Sequence, residues 1–224
     1  MNGKSTQSKD LAKLSLEAYL RDAGVILSDL QMTKQLEFCA LVLRWNRLTS
    51  LVQTNSIIEM VESHVIDCLA ALAEIVGPHI VDVGSGAGFP GIVFAIAKPE
   101  WQFSLIEANA RRARFLTQAK IDLELTNITI VNSRVEDWHS TTPVNCITSR
   151  AYSALASFFD DCQHLVPAKN TAQPGMRFVA LKGQVKSSEL EAVAAPLSAM
   201  TVKPLYVPGR DHRNVVVIDA EQCL

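Results

Sequence analysis

Residues 80–91 read Ile-Val-Asp-Val-Gly-Ser-Gly-Ala-Gly-Phe-Pro-Gly, an apolar strand candidate that runs straight into four glycines and then an apolar helical stretch. Glycine adopts positive φ at no steric cost and lets a ligand approach the backbone with no Cβ in the way. The helix that follows offers its first amides to a negative group. Such a turn also serves as a plain strand-to-helix connection, so a second feature has to decide. Glu107 is that feature: it closes the next strand candidate 23 positions after Gly84, near the ~20-residue spacing at which a carboxylate accepts hydrogen bonds from a ribose. The pair points to a nucleoside.

The glycines Gly84, Gly86 and Gly88 fall as G-x-G-x-G, with Asp82 two residues before the first. Dinucleotide sites carry G-x-G-x-x-G instead. A carboxylate beside the loop repels a pyrophosphate but attracts the amino group and sulfonium of S-adenosylmethionine (SAM). SAM is therefore the expected cofactor, with S-adenosylhomocysteine as its product.

In an open α/β sheet the reaction centre lies past the carboxyl ends of the strands. After the fourth strand candidate stand Ser149, Arg150, Ala151 and Tyr152. The Asn/Asp-Pro-Pro-aromatic tetrad that holds an exocyclic amine for methylation is absent there. Methylating a pyrimidine carbon needs an activated cysteine, and Cys146 sits in an apolar strand with no His beside it in sequence, so it reads as a core thiol. A ring nitrogen with its own lone pair, such as guanine N7, needs only positioning in line with the sulfonium. Arginine suits that task because its fork reaches guanine O6 and phosphate oxygens bidentately. The candidates are Arg134, Arg150 and Arg213, joined by Lys182 after the fifth strand. Arg111, Arg112 and Arg114 open a helix with Phe115, Leu116 and Ala119 inward; they are either its wet face or a phosphate patch.

The elements that must position these groups follow from periodicity. Residues 11–76 hold no proline, and their apolar positions recur at helical spacing: Leu36, Cys39, Ala40 and Leu43, then Val61, Val65, Cys68, Leu69 and Leu72. Gly77-Pro78 ends this front segment. Strand candidates follow at 80–83, 103–106, 128–131, 146–149, 178–181, 202–207 and 215–218, with helical stretches between most of the early ones. Alternation of this kind implies a parallel sheet covered on both faces. The last two are joined through Pro208, Gly209 and a charged tip, too short for a parallel crossover, so they are expected to be antiparallel neighbours. The expected fold is α/β: a Rossmann-like SAM-dependent methyltransferase sheet of seven strands, mostly parallel with a reversed edge strand. Residues 1–76 form an N-terminal helical extension and 77–224 the methyltransferase domain.

Composition narrows the partners. The chain of 224 residues carries 21 Lys and Arg against 23 Asp and Glu, a formal net charge of −2. That excludes a polybasic protein gripping nucleic acid through bulk charge, so any such contact is local. Five scattered cysteines, Cys39, Cys68, Cys146, Cys162 and Cys223, show no C-x-x-C spacing, and the five histidines form no H-E-x-x-H. They read as core thiols in a reducing compartment, with no metal site expected. The run 92–97, six residues, is the longest kind of apolar stretch present, far below the ~20 needed to span a bilayer. A cytoplasmic protein without membrane contact is expected.

Together these residues closely resemble the bacterial small-subunit ribosomal RNA methyltransferase G family, also called glucose-inhibited division protein B. The likeness runs nearly end to end. Trp45-Asn46 with Leu48-Thr49, His64 to Asp67, the segment DVGSGAGFPG, Ser133 to Glu136, Ile147 to Arg150 and Ala180 to Gln184 follow in the family's order. The resemblance implies methyl transfer from SAM to N7 of one guanine of 16S rRNA. It also implies that Gly84, Phe89 and Arg150 contact SAM, that Val135 and Glu136 flank its adenine, and that Arg134 and Arg213 serve the RNA or the active site. Phe89 stands where Leu is frequent and Glu107 where Asp is frequent. His64 and Asp67, three apart, share one helical face and either touch the site or pack as a pair; Trp45 reads as a packing anchor. The modest charge favours a small subunit or assembly intermediate as the substrate, held partly by ribosomal proteins, and a monomeric enzyme is expected.

Overall fold

Proline-free and helically patterned, the front of the chain folds into helices in a computed structural model that describes residues 2–152, 154–166, 175–193 and 199–220. Helix α1 (Asn2–Ala23) and α2 (Asp29–Asn46) lead to α3 (Ile57–Met60), a π-helical turn (Val61–Val65) and α4 (Ile66–Ala70). A capping box starts α2: the Ser28 hydroxyl accepts from the Gln31 amide, and the Gln31 side chain accepts from the Ser28 amide. Its deepest face is Met32, Gln35, Phe38, Cys39 and Val42, while Leu36, Ala40 and Leu43 pack at its flanks. The apolar stripe is broad because α2 meets α1, α3, α5 and α6 at once.

Strands β1 (His79–Val83), β2 (Gln102–Ile106), β3 (Ile128–Val131), β4 (Cys146–Arg150), β5 (Arg177–Lys182), β6 (Met200–Pro204) and β7 (Asn214–Asp219) form one sheet of order β3-β2-β1-β4-β5-β7-β6. The first five run parallel; β7 is antiparallel to both β5 and β6, so the terminal hairpin sets one reversed strand, β7, beside the edge strand β6. The sixth candidate strand ends earlier than its apolar run because Leu205 to Val207 turn into the connection, where Gly209 has φ +67°. Helices α5 (Gly91–Ala97), α6 (Ala110–Asp122), α7 (Leu155–Cys162) and α8 (Ser187–Glu191) complete the crossovers. The chain reverses direction across the sheet between β1 and β4, the place where open α/β sheets bind ligands.

The front helices are not an appendage with a core of their own. Leu16, Phe38, Met60 and Leu69 lie in one apolar cluster with Phe94, Phe103 and Phe115, each side chain fully buried and contributing about 1.5–3 kcal/mol over exposure. Polar ties reinforce it: the Gln31 and Gln35 amides donate to the carbonyls of Ile96 and Val93 on α5. Trp45 packs edge-on against Phe115 at 5.7 Å between ring centres. Cys39, Cys68, Cys146 and Cys162 are free and buried, whereas Cys223 lies outside the described residues. Among the described residues no helix is long and apolar enough to cross a membrane, and no cluster of three or more His, Cys, Asp or Glu could hold a metal ion.

Candidate active site

The glycine loop leaves β1 with positive φ at Gly84 (+69°), Gly86 (+55°) and Gly88 (+86°). The amides of Gly84 and Ser85 both donate to the Ile106 carbonyl at the end of β2. A Cβ on Gly88 would stand 2.7 Å from Ile92 and 3.1 Å from Phe38, so this glycine lets the loop press onto α2. A Cβ on Gly84 would only approach the Tyr152 ring at 3.7 Å; here the missing side chain opens a cradle toward solvent.

Glu107, 5% exposed, ties the loop to β2. Its Oε2 accepts from the Gly86 amide at 2.8 Å and its Oε1 from the Asn109 amide at 2.8 Å. Each oxygen keeps a further lone pair, enough for ribose hydroxyls. Gly84, Glu107, Arg134, Val135, Glu136 and Arg150 all line one cavity of ≈450 Å³ past the strand ends, with Tyr152 and Arg112. Arg134 is held only loosely there, 4.0 Å from Glu136 and mostly in solvent.

Asp82, Gly86, Gly88 and Phe89 form the scaffold behind this cavity and not its wall. Asp82 is fully buried beneath the loop, where Oδ2 accepts from the Gly91 amide at 3.1 Å. A Cβ on Gly91 would reach that oxygen at 2.5 Å. The other oxygen, Oδ1, has no hydrogen-bond partner among the described residues, and burial pushes the carboxyl up to about 7. A buried acid with an orphaned oxygen behind an open glycine cradle fits a cationic nucleoside such as SAM, because a positive charge over the loop would favour its ionised form.

On the far side of Arg150 opens a second cavity of ≈400 Å³, lined by His64, Asp67, Lys182, Glu189, Arg210 and Arg213 among others. Among the described residues the two cavities share Arg150 and Ala151. Ala151 carries a positive φ of +61°, a strained setting that costs a side-chain-bearing residue about 1 kcal/mol or more.

Arg150 is held from the front helices. Its Nη1 lies 3.3 Å from Asp67 Oδ2 and 3.8 Å from Cys68 Sγ, its Nη2 donates to His64 Nδ1, and its guanidinium covers the Phe89 ring at 5.4 Å. Phe89 also stacks on His64 at 5.0 Å. Burial, then the neighbouring arginines, push the imidazole of His64 down to about 3, so it is neutral and accepts. Asp67 sets its other oxygen 3.2 Å from Arg213 Nε; burial raises its carboxyl while the guanidiniums of Arg150 and Arg213 oppose the rise. Lys182 Nζ meets Glu189 Oε1 at 2.5 Å, and Arg210 donates to the Ser63 hydroxyl.

Of the residues singled out from sequence, Arg134 borders the first cavity, Lys182 and Arg213 the second, and Arg150 both. His64 and Asp67 both border the second cavity and both meet Arg150. Arg111 and Arg114 point to solvent, while Arg112 reaches the first cavity. Sequence analysis missed Ser63, Glu189 and Arg210. Ser63 sits in the π turn, a feature frequent at functional sites that leaves no mark in the sequence; Glu189 and Arg210 carry no motif. A larger cavity of ≈940 Å³ at the amino ends of β1 and β2, around His79 and Trp138, is lined by no Arg, Lys, Asp or Glu among the described residues. It lies at the wrong end of the strands for catalysis.

A nucleoside cradle at the switch point of such a sheet defines the class: the protein is a SAM-dependent methyltransferase of Rossmann-like fold. A solved SAM-dependent methyltransferase from Aquifex aeolicus shares the fold, with a TM-score of 0.50 at 14% identity over 72% of this chain and 92% of that one. The family described as rRNA small subunit methyltransferase G matches residues 31–216, and the chain belongs to that family. Proteins named ribosomal RNA small subunit methyltransferase G from Nitrosomonas europaea and Laribacter hongkongensis are 35% and 38% identical to it. Each alignment covers 92% of this chain, and 98% and 96% of the respective relatives.

Proposed function

We propose that the protein transfers the methyl group of SAM to N7 of a guanine in 16S rRNA. The observation that carries this reading is the junction at Arg150 and Ala151, where cofactor and acceptor cavities meet and neither the His64 imidazole nor the Cys68 thiol beside it is poised as base or nucleophile. His64 is neutral and occupied by Arg150, and burial pushes the Cys68 thiol up to about 12. An acceptor that brings its own lone pair, as N7 does, needs neither. SAM supplies an electrophilic methyl on sulfur; the N7 lone pair forms the new N–C bond as the C–S pair returns to sulfur, and no proton moves.

In this reading Gly84 and Glu107 hold the ribose and methionine side of SAM, and Val135 and Glu136 flank its adenine. Asp82, Gly86, Gly88 and Phe89 keep that cradle in shape from behind. Arg150 orders the junction, and Arg134, Lys182 and Arg213 face the RNA. The enzyme acts as a monomer in the cytoplasm, on the small subunit or an assembly intermediate, since its net charge of −2 gives little purchase on naked RNA.

The test is to incubate the protein with methyl-labelled SAM and small subunits from cells lacking the modification, alongside their extracted RNA, and to map label by primer extension after N7-specific cleavage. Label at one guanine is expected, stronger with subunits than with RNA. Confirmed SAM binding with no label in either sample would overturn the reading.

A further inference from the structure

Enzymes that act on a base take it out of its stack and read it in a pocket. We infer that the ≈400 Å³ cavity beyond Arg150 receives the extruded guanine, and that the Lys182–Glu189 ion pair reads its O6 and N1–H. This inference rests on the N7 reading above and supplies the base recognition that reading lacks.

The volume lies within the ~300–1,000 Å³ of ordinary small-molecule sites, and the cavity meets the cofactor cavity at Arg150 and Ala151. Whatever is methylated has to present its atom there. Guanine carries N7, O6 and N1–H in sequence around one side of the ring: acceptor, acceptor, donor. Lys182 Nζ, touching Glu189 Oε1 at 2.5 Å, sets a donor directly beside an acceptor. That pattern matches O6 next to N1–H and leaves N7 free. Adenine shows the reverse, an amino donor next to a ring acceptor, and would set like against like.

The remaining cations each have a partner within the protein, Arg213 through Asp67 at 3.2 Å, and these partners draw them away from the nucleophile. Arg150 spends Nη1 on Asp67 and Nη2 on His64, and Arg210 donates to Ser63. An N–H aimed at N7 would tie up the lone pair that has to attack. His64 and Asp67 are therefore positioning residues: they turn Arg150 away from N7. The Lys182–Glu189 pair, with side chains 17% and 24% exposed, is too desolvated to add much net stability; recognition gives it a reason to be there.

The experiment uses small subunits reconstituted with 16S rRNA carrying guanine, inosine or 2-aminopurine at the acceptor position, assayed with the wild-type protein and with Glu189→Gln. Inosine keeps O6 and N1–H and is expected to be methylated within a few-fold of guanine. 2-Aminopurine keeps N7 but lacks both groups and is expected to fall about 100-fold or more. Glu189→Gln is expected to lose a similar factor on guanine and most of the discrimination against 2-aminopurine, while binding SAM as tightly as wild type. Equal methylation of guanine and 2-aminopurine by the wild-type protein would overturn the inference and leave the N7 reading standing, as would a Glu189→Gln protein that still discriminates fully. Should that variant fail to bind SAM or to melt cooperatively, the wild-type comparison of the three bases decides alone. No label on guanine would overturn the N7 reading and this inference with it.

Discussion

The two halves of the site are held together by different forces. On the cofactor side the joints are made by backbone: the amides of Gly84 and Ser85 on the Ile106 carbonyl, and those of Gly86 and Asn109 on Glu107. On the acceptor side they are made by ionised side chains from separate elements. Asp67 of α4 lies between Arg150 of β4 and Arg213 ahead of β7, and Lys182 of β5 pairs with Glu189 of α8. Backbone joints stay in place when a neighbour is changed. A network of partly buried charges does not, because removing one member leaves another buried and unpaired.

The largest expected effect follows from Arg150, the side chain both halves share. Arg150→Ala should lower kcat/KM for methyl transfer by about 10²–10³-fold and also lower Tm, since Asp67 and His64 lose their main partner inside the protein. Arg213→Ala touches the acceptor half alone. It should cost about tenfold or more in transfer with the SAM dissociation constant unchanged, and lower Tm less than Arg150→Ala does, since Asp67 loses one of its two guanidinium partners. Full activity in both variants would remove these arginines from the site and erase the contrast between the halves.

Gly84→Ala is the counterpart on the cofactor side. Alanine at φ +69° is strained, though its Cβ finds ordinary room 3.7 Å from Tyr152. A stability loss of about 1 kcal/mol is expected, with SAM bound about tenfold more weakly because the Cβ projects into the cradle. Titration calorimetry with SAM measures this. Unchanged affinity would show that the ligand does not lie against Gly84.

The same difference decides how much could be read without a structure. The cofactor half is written in one contiguous stretch plus Glu107, and the strand order follows from alternating patterns, so sheet, hairpin and cradle were all legible. The spacing sets Asp82 beside the ligand and gives no hint that its side chain points down, under Gly91. The acceptor half draws on residues from Ser63 to Arg213, and only folding brings them together. Arg150, Lys182 and Arg213 could be proposed because each follows a strand, which is a positional argument. Glu189 and Arg210 follow no such rule, and nothing in the sequence reveals the π turn that carries His64.

The smallest expected effect is a cancellation between the halves. Asp82, raised by burial to about 7 against an ordinary 3.8, holds its proton more tightly in the folded protein than in the unfolded chain. Its contribution to stability is complete below 3.8 and is lost as pH rises through 7. His64, lowered by burial and arginines to about 3 against an ordinary 6.5, behaves oppositely: its contribution is complete above 6.5 and is lost as pH falls through 3. Between 3.8 and 6.5 the two slopes oppose each other, so these groups together leave wild-type stability nearly level there. Asp82→Asn should expose the His64 slope, with the urea midpoint falling on acidification; His64→Gln should expose the Asp82 slope, with the midpoint rising. Slopes of the same sign in both variants would mean that one of these two buried groups titrates as it does in water, and that the halves are not electrostatically opposed.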